Sequence, residues 1–113
     1  MKLVYLIPWQ IDPFAELAKL HPDVSFVRVT TEDKLAQETR DADIVSLGSR
    51  FYTPAYADVV KTQAPRLKWI QTPAIGVETF DANGVPDHIQ LTNAAGLKGS
   101  TVSEHAFALL LAL

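Results

Sequence analysis

The strongest constraint on the fold is a regular alternation between short apolar runs rich in β-branched residues and longer stretches with helical signals. Five such runs are strand candidates: Lys2–Ile7, Val24–Val29, Asp43–Leu47, Leu67–Gln71 and Ile89–Thr92. Most of their residues are apolar without strict alternation, which is typical of parallel strands buried on both faces. Strand–helix–strand units form right-handed crossovers and parallel sheets. The pattern therefore predicts a flavodoxin-like, doubly wound α/β domain with three αβα layers and strand order 2-1-3-4-5.

Capping residues and prolines mark the helices between these strands. Asp12-Pro13 and Thr53-Pro54 each place an N-cap residue before a proline at the first helical position. Thr101–Glu104 matches the capping box and predicts a further helix start. The stretch Glu32–Arg40 is more polar and predicts a helix at the surface.

Length and composition restrict the classes of protein to which the chain can belong. Its 113 residues fit one domain that spans the whole chain, with 48% hydrophobic residues and a net charge of −3. Lys and Arg form no basic stripe, so nucleic-acid binding is not expected. Cysteine is absent and His21, His88 and His105 lack ligand-like spacing, so no metal site is expected. The N-terminal apolar run is too short for a signal peptide, and we expect a cytoplasmic protein.

The C-terminal stretch Ala106–Leu113 is apolar throughout. It is far shorter than the roughly 20 apolar residues that span a bilayer, so no membrane segment is expected. A helix that is apolar on every side is normally buried inside protein. We therefore expect another part of a longer protein to cover this helix, with the present chain being a truncated piece.

The loops that follow the strands are the candidate sites, because doubly wound domains bind ligands at the carboxyl ends of their strands. After the fourth strand, the loop Thr72–Val77 contains Gly76, whose missing Cβ lets a ligand approach the backbone. Free amides there would suit a carboxylate or a phosphate. The alternative is a tight strand-to-helix turn in which glycine only relieves strain, and the local pattern by itself favours that alternative.

Two other loops carry weaker signals. Arg50 and Phe51 follow the third strand, where a guanidinium either binds a carboxylate bidentately or is simply solvated. Gly96 and Gly99 follow the fifth strand as G-x-x-G, which falls short of the dinucleotide fingerprint G-x-G-x-x-G, so a connector is expected there.

The second half of the chain carries two motifs of a known family. Leu67–Glu78 reads LKWIQTPAIGVE, and Ile89–Gly96 reads IQLTNAAG, followed by Val102–Ala106 and Leu109–Leu113. These segments resemble the "LK-hydrophobic-IQ…G-V-D" and "I-x-L-T-N…G…A-E-H-A…LLLAL" patterns of the D-isomer-specific 2-hydroxyacid dehydrogenases. Together they cover about the last 47 residues and keep the family's spacing. Glu78 departs from the pattern, since aspartate is more usual there.

The resemblance implies the substrate-binding domain of a two-domain, NAD(P)-dependent oxidoreductase that reduces 2-oxo acids to D-2-hydroxy acids. It implies that the backbone amides of Ile75, Gly76 and Val77 hold the substrate carboxylate. It also implies that Arg50 and Phe51 line the pocket for the substrate's side chain. NAD or NADP and the catalytic arginine, glutamate and histidine would belong to the other domain. The isolated chain is therefore expected to be inactive, without catalytic or cofactor-binding residues of its own.

By the same resemblance, the helix over 102–113 would connect the two domains. In the isolated chain we expect Val102–Leu113 to fold back onto the sheet, where family members place a C-terminal helix. Failing that, its exposed leucines would favour a homodimer. The alternative for the whole chain is a stand-alone, non-catalytic flavodoxin-like binding or interaction module. A receiver domain is disfavoured, because Pro8-Trp9 and Gly48-Ser49 stand where it needs acidic residues.

Overall fold

A computed structural model describes all residues, Met1–Leu113, and its strands and helices alternate along the chain. The strands are β1 (Lys2–Leu6), β2 (Ser25–Val29), β3 (Ile44–Ser46), β4 (Trp69–Gln71) and β5 (Gln90–Thr92). The α-helices are α1 (Ala15–Leu20), α2 (Glu32–Thr39), α3 (Pro54–Gln63), α4 (Glu78–Asn83) and α5 (Gly99–Ala112), and a 3-10 helix spans Ser49–Phe51. All the predicted strands are confirmed, each within two residues of its predicted bounds.

The strands form one parallel sheet in the order β2-β1-β3-β4-β5, which confirms the predicted doubly wound α/β topology. One row across the sheet consists of Val4, Val45, Ile70 and Leu91, which are paired in register and share a face. Successive side chains of a strand point to opposite faces. The residues that precede and follow each member of this row therefore lie on the other face of the sheet.

Helices α2, α3 and α4 cover the face that carries this valine-rich row. Leu35 of α2, Val60 of α3 and Phe80 of α4 are each at most 2% exposed and join one cluster of buried residues with the strands. Burying such a side chain fully contributes about 1.5–3 kcal/mol. The main core of the domain therefore lies on this side of the sheet.

The opposite face is only partly covered. Phe14, immediately before α1, stacks on Tyr5 with ring centroids 4.4 Å apart and contacts Phe26 at 6.3 Å. Beyond these rings the face is more polar, and Trp69 keeps 39% of its surface exposed while donating from Nε1 to Thr92 Oγ1 at 2.8 Å. The second helical layer thus consists of α1 alone.

One of the three predicted helix caps is confirmed. Thr53 caps α3, since its Oγ1 accepts from the amide of Tyr56 at 3.2 Å. The cap predicted at Asp12 is wrong, because α1 begins only at Ala15, and Asp12 instead accepts from the Phe14 amide at 3.0 Å. The capping box predicted at Thr101 is also wrong, because α5 begins at Gly99 with no side-chain cap.

The expected folding-back of Val102–Leu113 onto the sheet is wrong as well. No residue of α5 is buried, and Phe107, Leu110 and Leu111 are more than 60% exposed. The radius of gyration is 16.1 Å, against about 13 Å for a compact domain of this length. Between β5 and α5 the chain passes through Gly96 at φ 82°, a conformation that glycine adopts readily. None of the helices has the length and apolar composition needed to cross a membrane.

Candidate binding site at the carboxyl edge of the sheet

Five loops lie at the carboxyl edge of the sheet, as the parallel topology requires. They follow β1 (7–14), β2 (30–31), β3 (47–53), β4 (72–77) and β5 (93–98). All the residues predicted to bind substrate lie in the loops after β3 and β4.

The loop after β4 is fixed in place by hydrogen bonds on its carbonyl side. The amide of Ala94 donates to the Ala74 carbonyl at 3.1 Å, and Asn93 Nδ2 donates to the Ile75 carbonyl at 2.8 Å. At the start of the loop, the fully buried Thr72 accepts from the Ala74 amide through Oγ1 at 3.3 Å. The neighbouring strand β5 and its loop thus hold the peptide units of this segment in one orientation.

The amide side of the same loop is free. The backbone N–H groups of Ile75, Gly76 and Val77 donate to no acceptor within the chain, and neither do those of Glu78 and Thr79. Backbone amides are strong donors that are almost always paired with protein, water or ligand. A row of successive free amides is a suitable partner for an anion. The structure therefore provides the donors that the prediction for residues 75–77 requires.

The Glu78 carboxylate lies beside Gly76. A Cβ at position 76 would come within 2.4 Å of Glu78 Oε2. The Glu78 side chain is exposed and forms no ion pair, so it is free to move away from the loop. Any side chain at position 76 would have to displace it.

The loop after β3 presents Arg50 and Phe51 from the 3-10 helix. Thr79 Oγ1 donates to the Ser49 carbonyl at 2.6 Å, which ties this loop to α4. The Arg50 guanidinium lies over the Phe51 ring, 4.6 Å from its centroid, and pairs with no carboxylate. An exposed guanidinium that rests on an aromatic ring is available to bind an anion.

A cavity of about 130 Å³, called here the apolar cavity, lies between the loops after β1, β3 and β4. Its lining residues are Leu6, Ile7, Trp9, Pro13, Phe14, Ser46, Leu47, Gly48, Phe51, Gln71 and Pro73. Of the predicted site residues, Phe51 lines this cavity, whereas residues 75–77 and Arg50 do not.

The loop after β1 forms one wall of this cavity and is held by polar contacts that the sequence analysis did not identify. Tyr5 donates from its hydroxyl to Asp12 Oδ2 at 2.8 Å, and Arg28 donates to the carbonyls of Ile7 and Trp9. Burial, followed by the hydrogen bond to Asp12, raises the pKa of Tyr5 to about 12. Tyr5 therefore remains a hydrogen-bond donor at neutral pH. Arg28 is the one charged residue within the apolar run Val24–Val29, and this charge was the sequence signal that could have indicated the contact with the loop after β1.

The site contains no paired acid and base. His21, His88 and His105 are exposed and lie on different parts of the chain, at the end of α1, before β5 and in α5. No group of three or more His, Cys, Asp or Glu side chains is placed to hold a metal ion. The arrangement combines unpaired backbone amides, an exposed guanidinium and an apolar cavity, groups that together can contact a small organic anion.

Comparison with known proteins identifies the family and agrees with the fold. Residues 5–110 match the family described as D-isomer specific 2-hydroxyacid dehydrogenase, catalytic domain. Among solved structures, the chain is similar to a D-isomer specific 2-hydroxyacid dehydrogenase family protein from Aeromonas salmonicida subsp. salmonicida A449. The identity is 24% and the TM-score 0.71, with 97% of this chain and 34% of that chain covered.

A second similar structure is the NAD-dependent formate dehydrogenase from Staphylococcus aureus in complex with NAD. The identity is 20% and the TM-score 0.62, and the match covers 94% of this chain and 35% of that one. The present chain thus spans about a third of the length of these proteins. A comparison with curated proteins gave no match.

Proposed function

This chain belongs to the D-isomer specific 2-hydroxyacid dehydrogenase family, and from that premise we propose that it is the substrate-binding domain of an NAD(P)-dependent oxidoreductase. The complete enzyme would reduce 2-oxo acids to D-2-hydroxy acids. The observation that carries the proposal is the row of unpaired amides at residues 75–77, held in place by bonds to the loop after β5.

The proposed role of this domain is to bind and orient the substrate. The amides of Ile75, Gly76 and Val77 would donate to the substrate carboxylate, and hydrogen bonds to a charged acceptor contribute about 1.5–3 kcal/mol. Arg50 would add positive charge, and Phe51 would contact the substrate's side chain. Fixing the carboxylate in this way sets the position of C2, which lowers the entropic cost of reaching the reactive geometry.

The residues of this chain do not fit the nicotinamide cofactor. The loop after β1, where a dinucleotide-binding domain has its glycine-rich turn, contains no glycine between Ile7 and Phe14 and includes Pro8-Trp9. We propose that NAD or NADP and the catalytic groups are supplied by another part of the enzyme. The isolated chain would then bind substrate without turning it over.

The exposed helix α5 fits a connecting role within the larger enzyme. Its apolar side chains have no partner within this chain. We propose that α5 is the inter-domain helix and is covered there by the rest of the protein. In the isolated chain the same surface would favour a homodimer. We also propose that the protein is located in the cytoplasm.

An NMR titration of the isotopically labelled chain with pyruvate tests the proposed carboxylate site. We expect the amide resonances of residues 75–77 to shift, and the methyl ester of pyruvate, which lacks the charge, to leave them unchanged. The variant Gly76→Pro removes one of the donors and is expected to weaken pyruvate binding about tenfold or more.

Gly99→Pro is the matched control, because Gly99 is the first residue of α5, where proline is well tolerated. It should bind pyruvate as the parent chain does. Equal affinity of Gly76→Pro and Gly99→Pro, with native-like spectra for both, would contradict the proposed site. The chain would then be better described as a non-catalytic flavodoxin-like module.

A further inference from the structure

The apolar cavity indicates which class of 2-oxo acid the site accepts. We propose that the substrate carries a neutral, apolar side chain of about the size of an isobutyl or phenyl group, and that this cavity holds it. The inference rests on the proposed function, because it assumes that the amides of residues 75–77 hold the carboxylate.

The walls of the cavity require no polar partner. Apart from the solvent-exposed Trp9 indole, its polar side chains are Ser46 and Gln71, and Ser46 Oγ donates to Gln71 Oε1 at 2.9 Å. Gln71 Nε2 in turn donates to the Thr72 carbonyl at 3.0 Å. No buried side-chain nitrogen or oxygen lacks a partner anywhere in the chain. A hydroxyl or amide on the ligand would therefore lose hydrogen bonds to water and meet at most the indole N–H of Trp9.

The cavity also selects against charge. None of its lining residues is charged, and Arg50, which stacks on Phe51, is not among them. Moving a carboxylate from water into an apolar site without a partner is strongly unfavourable. A dicarboxylic 2-oxo acid would consequently be a poor ligand.

Size and position fit a medium-sized substituent. An apolar cavity of about 150 Å³ holds a benzene-sized molecule, and this one measures about 130 Å³. Pro73 lines it and lies two residues before Ile75, so their Cα atoms are at most about 7 Å apart. In the proposal, a ligand whose carboxylate meets the amides of residues 75–77 extends the carbon chain next to C2 into this cavity.

The test is a comparison of three acids by NMR titration of the full chain: pyruvate, 4-methyl-2-oxopentanoate and 2-oxoglutarate. Each buried methylene raises affinity about fourfold, so the three additional carbons of the isobutyl acid allow roughly a sixtyfold gain. Because the cavity is open on one side and the chain of the ligand loses freedom, we expect about tenfold over pyruvate. The Trp9 indole resonance should shift with the isobutyl acid and not with pyruvate.

Two glycine variants probe the cavity itself. A methyl group at Gly48 would meet the Phe51 ring at 3.5 Å, an ordinary contact that narrows the cavity, and the backbone there at φ −63° accepts alanine. We expect Gly48→Ala to lower the ratio of isobutyl-acid to pyruvate affinity at least threefold. Gly99→Ala, which adds a methyl group with nothing within 4 Å, should keep that ratio.

The outcomes separate the two proposals. If the amides of residues 75–77 respond to all three acids with equal affinity, or most strongly to 2-oxoglutarate, the substrate class is wrong while the carboxylate site stands. If none of the acids shifts those amides, the proposed function itself is overturned, and the substrate class with it.

Discussion

At the residue scale, Gly84 is a position where the backbone leaves no choice of side chain. It ends α4 at φ 78° and ψ 138°, a conformation that residues with a Cβ rarely adopt. Its amide donates to the Phe80 carbonyl at 2.8 Å, and its own carbonyl accepts from the Tyr52 hydroxyl at 2.8 Å. These contacts join α4 to the loop after β3 and so help to fix both loops of the candidate site.

Gly84→Ala is expected to lower the free energy of unfolding by about 1–3 kcal/mol, because alanine is strained in this conformation. A Cβ at this position would also lie 3.2 Å from Lys61 Nζ. Urea denaturation measures the effect, with Gly99→Ala as the control whose added methyl group contacts nothing. If both variants unfold at the same urea concentration, the strain assigned to Gly84 is absent.

Of the features of the candidate site, the sequence could predict least well which backbone groups of single residues are hydrogen-bonded and which are free. The local pattern around Gly76 favoured a plain turn, and only the family resemblance indicated anion binding. The reason is that the bonds which fix the carbonyl side of this loop, and so orient its amides, come from Asn93 and Ala94, about twenty residues away. Such contacts depend on which loops the topology brings together, and a local motif carries no record of them.

At the scale of elements, Asp43 connects the beginnings of three strands, β1, β3 and β4. It lies just before β3 and accepts from the Lys2 amide of β1 at 2.8 Å, and from Arg66 before β4 at 3.0 Å. The hydrogen bond from the Lys2 amide, followed by the Arg66 guanidinium, holds the pKa of Asp43 below its usual value. A carboxyl group whose pKa is lower in the folded state stabilises the fold above its unfolded pKa of about 3.9.

We therefore expect the domain to lose stability as the pH falls from about 4 through the folded pKa of Asp43. In Asp43→Asn this acid-dependent loss should be smaller, and the melting temperature at pH 7 should be lower. Thermal unfolding followed by circular dichroism between pH 2.5 and 7 measures both effects. Asp58→Asn, which removes an exposed carboxylate without an ion pair, is the control. An unchanged pH profile in Asp43→Asn would contradict this role.

The helix boundaries show where local signals were sufficient. Thr53 caps α3 as predicted, and its hydroxyl makes no other hydrogen bond within the chain. Asp12 carried the same signal, yet α1 begins three residues later. Its carboxylate also accepts from the Tyr5 hydroxyl of β1, a tertiary contact that holds the loop extended beside the cavity. The capping motif therefore predicted the start of a helix correctly at Thr53, whose side chain has no tertiary hydrogen bond, and wrongly at Asp12, whose side chain has one.

At the scale of the whole molecule, the alternation of apolar runs was sufficient to predict the sheet order, because crossover rules leave few arrangements for five parallel strands. It was not sufficient to place α5, whose apolar sequence only indicates that the helix requires a partner. The structure places α5 away from its own sheet, with its leucines exposed. Their contribution to the stability of this chain should therefore be small.

Replacing Leu109, Leu110 and Leu111 together by lysine tests this placement, since lysine and leucine have similar helix propensities. We expect the free energy of unfolding to change by less than about 0.5 kcal/mol per substitution, as at other exposed positions. The buried control Leu35→Ala should cost about 2–5 kcal/mol. Sedimentation equilibrium measures association separately, and the parent chain should dimerise at concentrations where the lysine variant stays monomeric. If the lysine variant unfolds as readily as Leu35→Ala in dilute, monomeric solution, α5 must pack against its own sheet. The open face beside Trp69 would then be covered within one chain.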